Sequence, residues 1–283
     1  MADKTVLIAG QRLPAIGQGT WYMGEDASAR REEAMALRAG VDCGLTLIDT
    51  AEMYAEGGAE EVVGEAIRGI RDRVFVVSKV YPWNAGGSNM AAACEASLRR
   101  LGTDHLDLYL LHWRGNYSLQ ETVTAMEKLV QQGKIRHWGV SNLDYADMQE
   151  LWQVKGGEAC AANQVLYHLA SRGIEYDLLP WCQQHSMPVM AYCPLAQAGR
   201  LRRGLFANPT VQAIADAHQA TVAQVLLAWV IRQHGIMAIP KAATVKHVEE
   251  NAAALTLTLS EEEQALLDSA FPAPGHKTAL DVV

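Results

Sequence analysis

Four side chains of complementary chemistry stand at or just past the ends of short apolar runs. Asp49 lies in LTLIDT (45–50), with Tyr54 in the stretch that follows. Lys79 ends VFVVSK (74–79), and His112 nears the end of LDLYLLHW (106–113). An ammonium beside a phenol favours the phenolate and draws the phenol below its ordinary pKa of about 10. A carboxylate facing that ammonium keeps it charged despite burial. The phenol then serves as a general acid near neutral pH. A histidine beside it can hydrogen-bond a carbonyl oxygen and orient it. Together the four form a device for protonating an oxygen that is gaining negative charge. The matching step is hydride delivery to the carbonyl carbon. No side chain can perform it, so a nicotinamide cofactor is implied.

Each residue alone has a plainer reading. A Lys after a strand is commonly a solvated charge, an Asp there is a turn former or helix cap, and a His is a satisfied core residue. The case rests on the set. Ser141-Asn142 ends IRHWGVSN (135–142), Gln164 falls in AANQV (161–165), Tyr192 in PVMAYCPL (188–195), and Lys241 ends IMAIPK (236–241). If the runs are parallel strands of one barrel, all of these converge on its C-terminal mouth.

The elements that must position them follow from periodicity. The short runs have strand length and are apolar on both faces, as strands covered by helices are. Between them lie amphipathic stretches at 59–70, 89–101, 118–132, 144–155, 176–186 and 245–255. Val123, Met126, Leu129 and Val130 illustrate the helical spacing. With Ala15–Gly19 as the first strand, the alternation gives about eight right-handed βα units. The expected fold is an α/β (β/α)8 TIM barrel, one domain over residues 1–283. A hairpin is expected over Thr5–Ile8 and Arg12–Pro14, turning at Ala9-Gly10. An extra C-terminal helix is expected over Leu259–Ala270, capped by Ser260 with Glu263. Residues 195–209 read as a long polar loop.

Composition removes other classes. A net charge of −8 over 283 residues, with no basic stripe, argues against a nucleic-acid partner. The densest basic group, Arg200, Arg202 and Arg203, reads first as a solvated loop, and alternatively as a lid that meets an anion. Five cysteines without a CxxC pair suggest neither a disulfide framework nor a zinc cluster. His112 and Asp49 are too few rim ligands for a metal, so none is expected. The N-terminal MADKTVLIAG lacks a leader-like apolar region, and no stretch reaches membrane-spanning length. The expected setting is the cytoplasm, with no membrane partner and a monomer or weak oligomer. Gly17-Gln18-Gly19 is followed by no third glycine at the Rossmann spacing.

From the hairpin to the last helix the chain resembles the aldo-keto reductases. The resemblance rests on Gly19-Thr20-Trp21, Asp49-Thr50-Ala51 with Tyr54, Ser78-Lys79, and Leu106-Asp107 leading to Leu111-His112-Trp113. It continues through Gly139-Val140-Ser141-Asn142, Asn163-Gln164, Tyr192-Cys193-Pro194-Leu195, Ile239-Pro240-Lys241 and Glu250-Asn251. It implies a barrel that binds NADPH, extended, at the strand C-termini. It implies Tyr54 as proton donor, tuned by Lys79 and Asp49, with His112 orienting the carbonyl. Ser141, Asn142 and Gln164 would bond the nicotinamide carboxamide, and Tyr192 would stack on its ring. Asp49 would also reach the nicotinamide ribose. Pro194 and Leu195 would border the pyrophosphate, Lys241 would meet the 2′-phosphate, and Glu250 and Asn251 the adenine. Gly19, Thr20, Trp21, Cys193, Ile239, Pro240, Ala242, Thr244, Lys246 and His247 complete the expected cofactor site.

The chain departs from the family's commonest pattern at several places. Ala55 follows Tyr54 where glycine is usual, and Gly57-Gly58 can supply the flexibility instead. Ala242 replaces a frequent serine. Cys193 replaces another, and reads as a small hydrophobe. His247 stands where arginine commonly binds the 2′-phosphate. Neutral histidine is the weaker anion partner, with Lys246 adjacent, so NADPH is preferred and NADH use stays possible. Trp21, Trp83 and Trp113, with Tyr54 and His112, are the expected substrate contacts. The short tail after the last helix suggests an open pocket for small aldehydes, aromatic aldehydes, dicarbonyls such as methylglyoxal, or keto esters. The rival reading is a non-catalytic NADP(H)-binding regulatory protein on the same barrel. A tuned phenol, which a pure binder does not need, favours the enzyme.

Overall fold

The computed structural model describes residues 4–283. Residues 1–3, which belong to the expected single domain and to the N-terminal stretch read above, lie outside the described residues. Strands β1 (Thr5–Ile8) and β2 (Gln11–Pro14) pair antiparallel, Thr5 facing Pro14 and Ile8 facing Gln11. Ala9 and Gly10 both take positive φ, the conformation a two-residue hairpin turn requires. The hairpin buries Val6, Ile8 and Leu13 and leads directly into the first strand of the ring.

The ring follows in chain order: β3 (Gln18–Gly19), α1 (Arg30–Asp42), β4 (Leu47–Asp49), α2 (Gly58–Ile67), β5 (Phe75–Val80) and α3 (Gly87–Leu101). Next come β6 (Leu106–Leu111), α4 (Leu119–Gln131), β7 (Ile135–Ser141), α5 (Tyr145–Gln153), β8 (Asn163–Leu166), α6 (Leu178–Gln184) and β9 (Val189–Tyr192). Helices α7 (Arg200–Phe206), α8 (Pro209–Ala217) and α9 (Val222–Val230) precede β10 (Ile236–Ala238), and α10 (Val245–Ala253) and α11 (Glu261–Ala270) end the path.

Strands β3 to β10 form one parallel sheet in sequence order. Parallel bridges from Ile16 to Ala238 and from Gly19 to Lys241 join its edges, so the ring closes. Closure needs a glycine: a Cβ on Gly19 would fall 2.6 Å from the Ile239 carbonyl oxygen. Every residue of β5 and β6 is buried, as the unbroken apolar runs predict. Capping boxes start α4, α5, α9 and α11, the last on Ser260 and Glu263 as expected.

The long loop expected over 195–209 is not one. It holds α7, whose apolar face of Leu201, Leu205 and Phe206 is masked in sequence by three interspersed arginines and Gly204. Pro209, read as the end of the loop, is the first residue of α8, where its missing N–H costs nothing. Helices α1, α8 and α9 occupy stretches to which the pattern assigned no element. Val225 to Val230 of α9 are buried without interruption, so no polar face marks its period.

Candidate active site

The C-terminal ends of β4, β5 and β6 bring the four residues together. Lys79, fully buried, donates from Nζ to Asp49 Oδ2 at 2.7 Å, to the Thr50 carbonyl at 2.9 Å and to the Tyr54 hydroxyl at 3.1 Å. Asp49 Oδ1 accepts from Gln164 Nε2 at 2.7 Å. Tyr54 leaves β4 on a strained turn. Ala55 and Glu56 sit at φ 50° and 52°, and Gly57 at 92°. For the two residues with a Cβ this conformation costs about 1–2 kcal/mol each. The glycine usual after the tyrosine is thus replaced by a strained alanine; Gly57 carries only the last positive φ. His112 packs edge-on to the Tyr54 ring, centroids 5.9 Å apart, and its buried Nδ1 has no partner among the described residues.

Electrostatics settle the protonation states. Burial pulls the Lys79 ammonium down, and Asp49 opposes it; burial pushes the Asp49 carboxyl up, and Lys79 opposes that. At 2.7 Å the two remain an ion pair. Burial, then the Asp49 charge, pushes the Tyr54 phenol well above its ordinary value. This reverses the lowering expected from the sequence. Asp49 cancels the lysine's pull, so Tyr54, half-buried at the cleft, stays protonated in the resting protein. Burial, then the Lys79 charge, lowers His112 to about 2, so its ring is neutral.

Asp49, Tyr54 and His112 line a cleft of about 370 Å³ at the mouth of the ring. Gly19, Thr20, Trp21 and Asp49 line it on one side, and Ser141, Asn142, Gln164 and Tyr192 on the floor. Cys193, Pro194 and Leu195, then Ile239, Pro240 and Lys241, extend it. The floor is pre-oriented. Ser141 Oγ donates to the Gln164 carbonyl at 2.9 Å, and the Asn142 amide donates to the His112 carbonyl at 3.1 Å. The Tyr192 hydroxyl donates to Asn142 Oδ1 at 2.8 Å. A buried Asp–Lys pair touching a phenol at the mouth of a parallel ring, with amides aimed into the same cleft, matches the pattern read in the sequence.

The profile of the Aldo/keto reductase family matches residues 15–271. The chain belongs to that family. It is 70% identical, over the full length of both chains, to methylglyoxal reductase YeaE of Escherichia coli (strain K12). It is 35% identical to glyoxal reductase of Bacillus subtilis (strain 168), covering 95% of this chain and 93% of that one. An aldo/keto reductase from Klebsiella pneumoniae, solved in complex with NADP and acetate, is 68% identical. It superposes with a TM-score of 0.98 over all of both chains.

Some expected site residues lie away from the cleft wall. Trp21 and Trp113 line it, whereas Trp83 does not: it is 58% exposed, stacks on Tyr81 with centroids 4.3 Å apart and sits edge-on to Trp113. Ala242, Thr244, Lys246, His247, Glu250 and Asn251 lie beyond Lys241, on α10 and the turn that enters it. There Thr244 Oγ1 caps the helix by accepting from the His247 N–H at 3.4 Å. Lys246 is 81% exposed along its side chain, 3.9 Å from Glu250.

Other lining residues were not among the expected site residues, although Arg202 belongs to the arginine cluster alternatively read as a lid that meets an anion. Arg202 lines the cleft, half-buried, and donates to the carbonyls of Leu195 and Ala196 at 3.1 and 3.3 Å. It is a charge at the cleft and not part of a solvated loop; its only sequence signal was the arginine cluster. Gln197 reaches Tyr22 across the opening at 3.4 Å. Met53 and Val283 also line the cleft. Val283 arrives because the tail folds back. Lys277 bonds Asp144 at 2.6 Å and Asp177 at 2.9 Å, and Ser171 bonds Asp281. The pocket is therefore less open than the short tail suggests. Among the described residues no cluster of His, Cys, Asp and Glu could hold a metal, and no helix is long and apolar enough to cross a membrane.

Proposed function

We propose that this cleft reduces small aldehydes and ketones to alcohols with NADPH, Tyr54 giving the proton. The observation that carries the reading is Lys79 Nζ, placed 3.1 Å from the Tyr54 hydroxyl and 2.7 Å from Asp49 in a buried wall of the cleft. NADPH, when bound, supplies the hydride.

The donor set fits that cofactor. Gln164 Nε2 is committed to Asp49, which leaves Oε1 to accept from a carboxamide N–H. Ser141 Oγ has already donated and can accept. Asn142, whose amide hydrogens go to His112 and Ser141, keeps a lone pair on Oδ1. Tyr192, its hydroxyl tied to Asn142, presents its ring to the cleft for stacking. Arg202, Pro194 and Leu195 border the place for a pyrophosphate. Lys241, followed by the N-terminus of α10 with Lys246 and His247, offers the 2′-phosphate a positive end. Glu250 and Asn251 follow for the adenine.

The chain's own groups then act in order. Neutral His112 donates to the substrate carbonyl and orients it. The hydroxyl of Tyr54, protonated at rest, lies where negative charge grows on that oxygen. As it releases the proton, the Lys79 ammonium stabilises the phenolate, and Asp49 holds the ammonium in place. The cleft is lined there by the apolar Trp21, Trp113, Met53 and Val283. It fits small aldehydes and 1,2-dicarbonyls of the methylglyoxal class, the class named by the two enzymes compared above. We read the protein as a monomer or weak oligomer. We place it in the cytoplasm, consistent with five unpaired cysteines.

The test mixes protein, NADPH or NADH, and a panel of carbonyls, and follows loss of the nicotinamide absorbance. Tyr54→Phe is expected to bind NADPH normally while turnover falls on the order of 10³-fold. Turnover that survives Tyr54→Phe would remove the proton-donor assignment.

A further inference from the structure

Tyr54 and Lys79 sit on separate elements and meet directly through the 3.1 Å hydrogen bond and the ammonium lying 4.8 Å from the ring centroid. Two carboxylates that flank Tyr54 in sequence reach the two residues that flank Lys79. Glu52 accepts from the backbone N–H of Tyr81 at 2.7 Å. Glu60, in the first turn of α2 and fully buried, accepts from the Ser78 hydroxyl at 2.5 Å. The strained turn from Tyr54 to Gly57 lies between these two pins. Arg100 secures the second pin, donating from Nε to the other oxygen of Glu60 at 2.6 Å. Its side chain also lies where a Cβ on Gly57 would stand, 2.5 Å from Cδ and Nε, and so packs beneath the turn.

We infer that Glu52 and Glu60 form a two-point clamp that sets the distance from the Tyr54 hydroxyl to the Lys79 ammonium. Both act as positioning residues. The inference rests on the reductase reading given above. Three successive positive-φ residues have no intrinsic preference for the shape they hold, so their placement must come from contacts at both ends. Burying the Glu60 carboxylate is costly in itself. Its two partners on β5 and α3 offset that cost only in this geometry. The Glu60 charge also favours the ammonium form of Lys79. The first pin works through hydrogen bonds, Glu52 Oε1 also accepting from Asn84 Nδ2 at 3.5 Å.

The experiment measures kcat, NADPH affinity and the pH profile of carbonyl reduction for Glu52→Ala, Glu52→Gln, Ser78→Ala and Glu60→Gln, with Tyr54→Phe alongside. Circular dichroism checks folding of each. Glu52→Ala and Ser78→Ala are each expected to lower kcat on the order of tenfold, with NADPH affinity unchanged, because a misplaced acid slows the step without loosening the cofactor. Glu52→Gln is expected to recover most of that loss, since its amide oxygen can again accept from Tyr81. Glu60→Gln is expected to lower kcat and shift the basic limb of its profile to lower pH, whereas Ser78→Ala leaves the limb in place. Wild-type kcat in both Glu52→Ala and Ser78→Ala overturns the clamp, as does a Glu52→Gln enzyme no better than Glu52→Ala. An active Tyr54→Phe enzyme instead overturns the underlying proton-donor reading, which separates the two failures.

Discussion

The two ends of the proposed site are built on opposite principles. At the tetrad end every charge is buried and paired before anything binds: Lys79 to Asp49, Asp49 to Gln164, Lys79 to Tyr54. At the α10 end the charges are exposed, and Lys246 lies 3.9 Å from Glu250. The difference shows where precision is needed. Proton transfer tolerates little misplacement, so the fold fixes those groups against desolvation and strain. The phosphate proposed for the α10 end would need only positive charge within reach, which exposed side chains offer at the cost of screening by salt.

The strongest way to break the comparison is at the buried end. Lys79→Met leaves Asp49 buried and unpaired, a change that costs about 3–5 kcal/mol of stability. It also removes the cation beside the phenol, so turnover is expected to fall on the order of 10²-fold. Thermal melts and steady-state kinetics on one preparation check both. A variant that loses neither stability nor rate would show that the pair is dispensable.

Changes at the exposed end are expected to be smaller and confined to affinity. Lys241→Met should weaken NADPH binding about tenfold, leave NADH binding unaltered and reduce the salt dependence of NADPH binding. His247→Arg should tighten NADPH several-fold by offering a permanent fork. Titration by nicotinamide fluorescence at two salt concentrations measures these effects. Equal weakening of NADH by Lys241→Met would move the phosphate site elsewhere.

Two buried histidines, His112 at the cleft and His168 after β8, carry a pH signature. His112 is held at about 2, and burial holds His168 at about 4, both below the ordinary 6.5. In the folded chain these rings stay neutral at pH values where the unfolded chain takes up protons. Protons therefore favour unfolding, and stability is complete above 6.5 and declines as the pH falls toward 4. The Tm should decline over that window, and His168→Gln should flatten part of the slope. A His168→Gln slope equal to that of the parent would rule this histidine out. The smallest effect expected is Trp83→Ala, which changes KM for small carbonyls by less than about twofold, against a larger rise for Trp113→Ala. A larger effect from Trp83 would place it in the pocket after all.

Much of the active end was legible because its residues close apolar runs whose period and length identify buried strands. The ring, the hairpin turn at Ala9-Gly10 and the Ser260 cap follow from local rules that tertiary packing did not override. Helix α9 was missed because burial on all sides erases the periodicity that reveals a helix. Helix α7 was missed because arginines interrupt its apolar face. Arg202 was visible only as one of three arginines; its place at the cleft follows from the backbone turning at Gly199 and from two carbonyls within reach. Val283 carried no signal, since a tail's docking depends on partners such as Asp144 and Asp177 far away in sequence.

The sequence by itself determined the ring of strands, the set of groups at its mouth and the reaction class they suit, because side-chain type and spacing encode burial and chemistry. It did not determine the state of those groups. The same Lys79 that should acidify Tyr54 in isolation is neutralised by Asp49, and burial holds the phenol protonated. That outcome depends on distances of about 3 Å between residues on different strands, and on the exclusion of water, which exist only once the chain has closed into its ring.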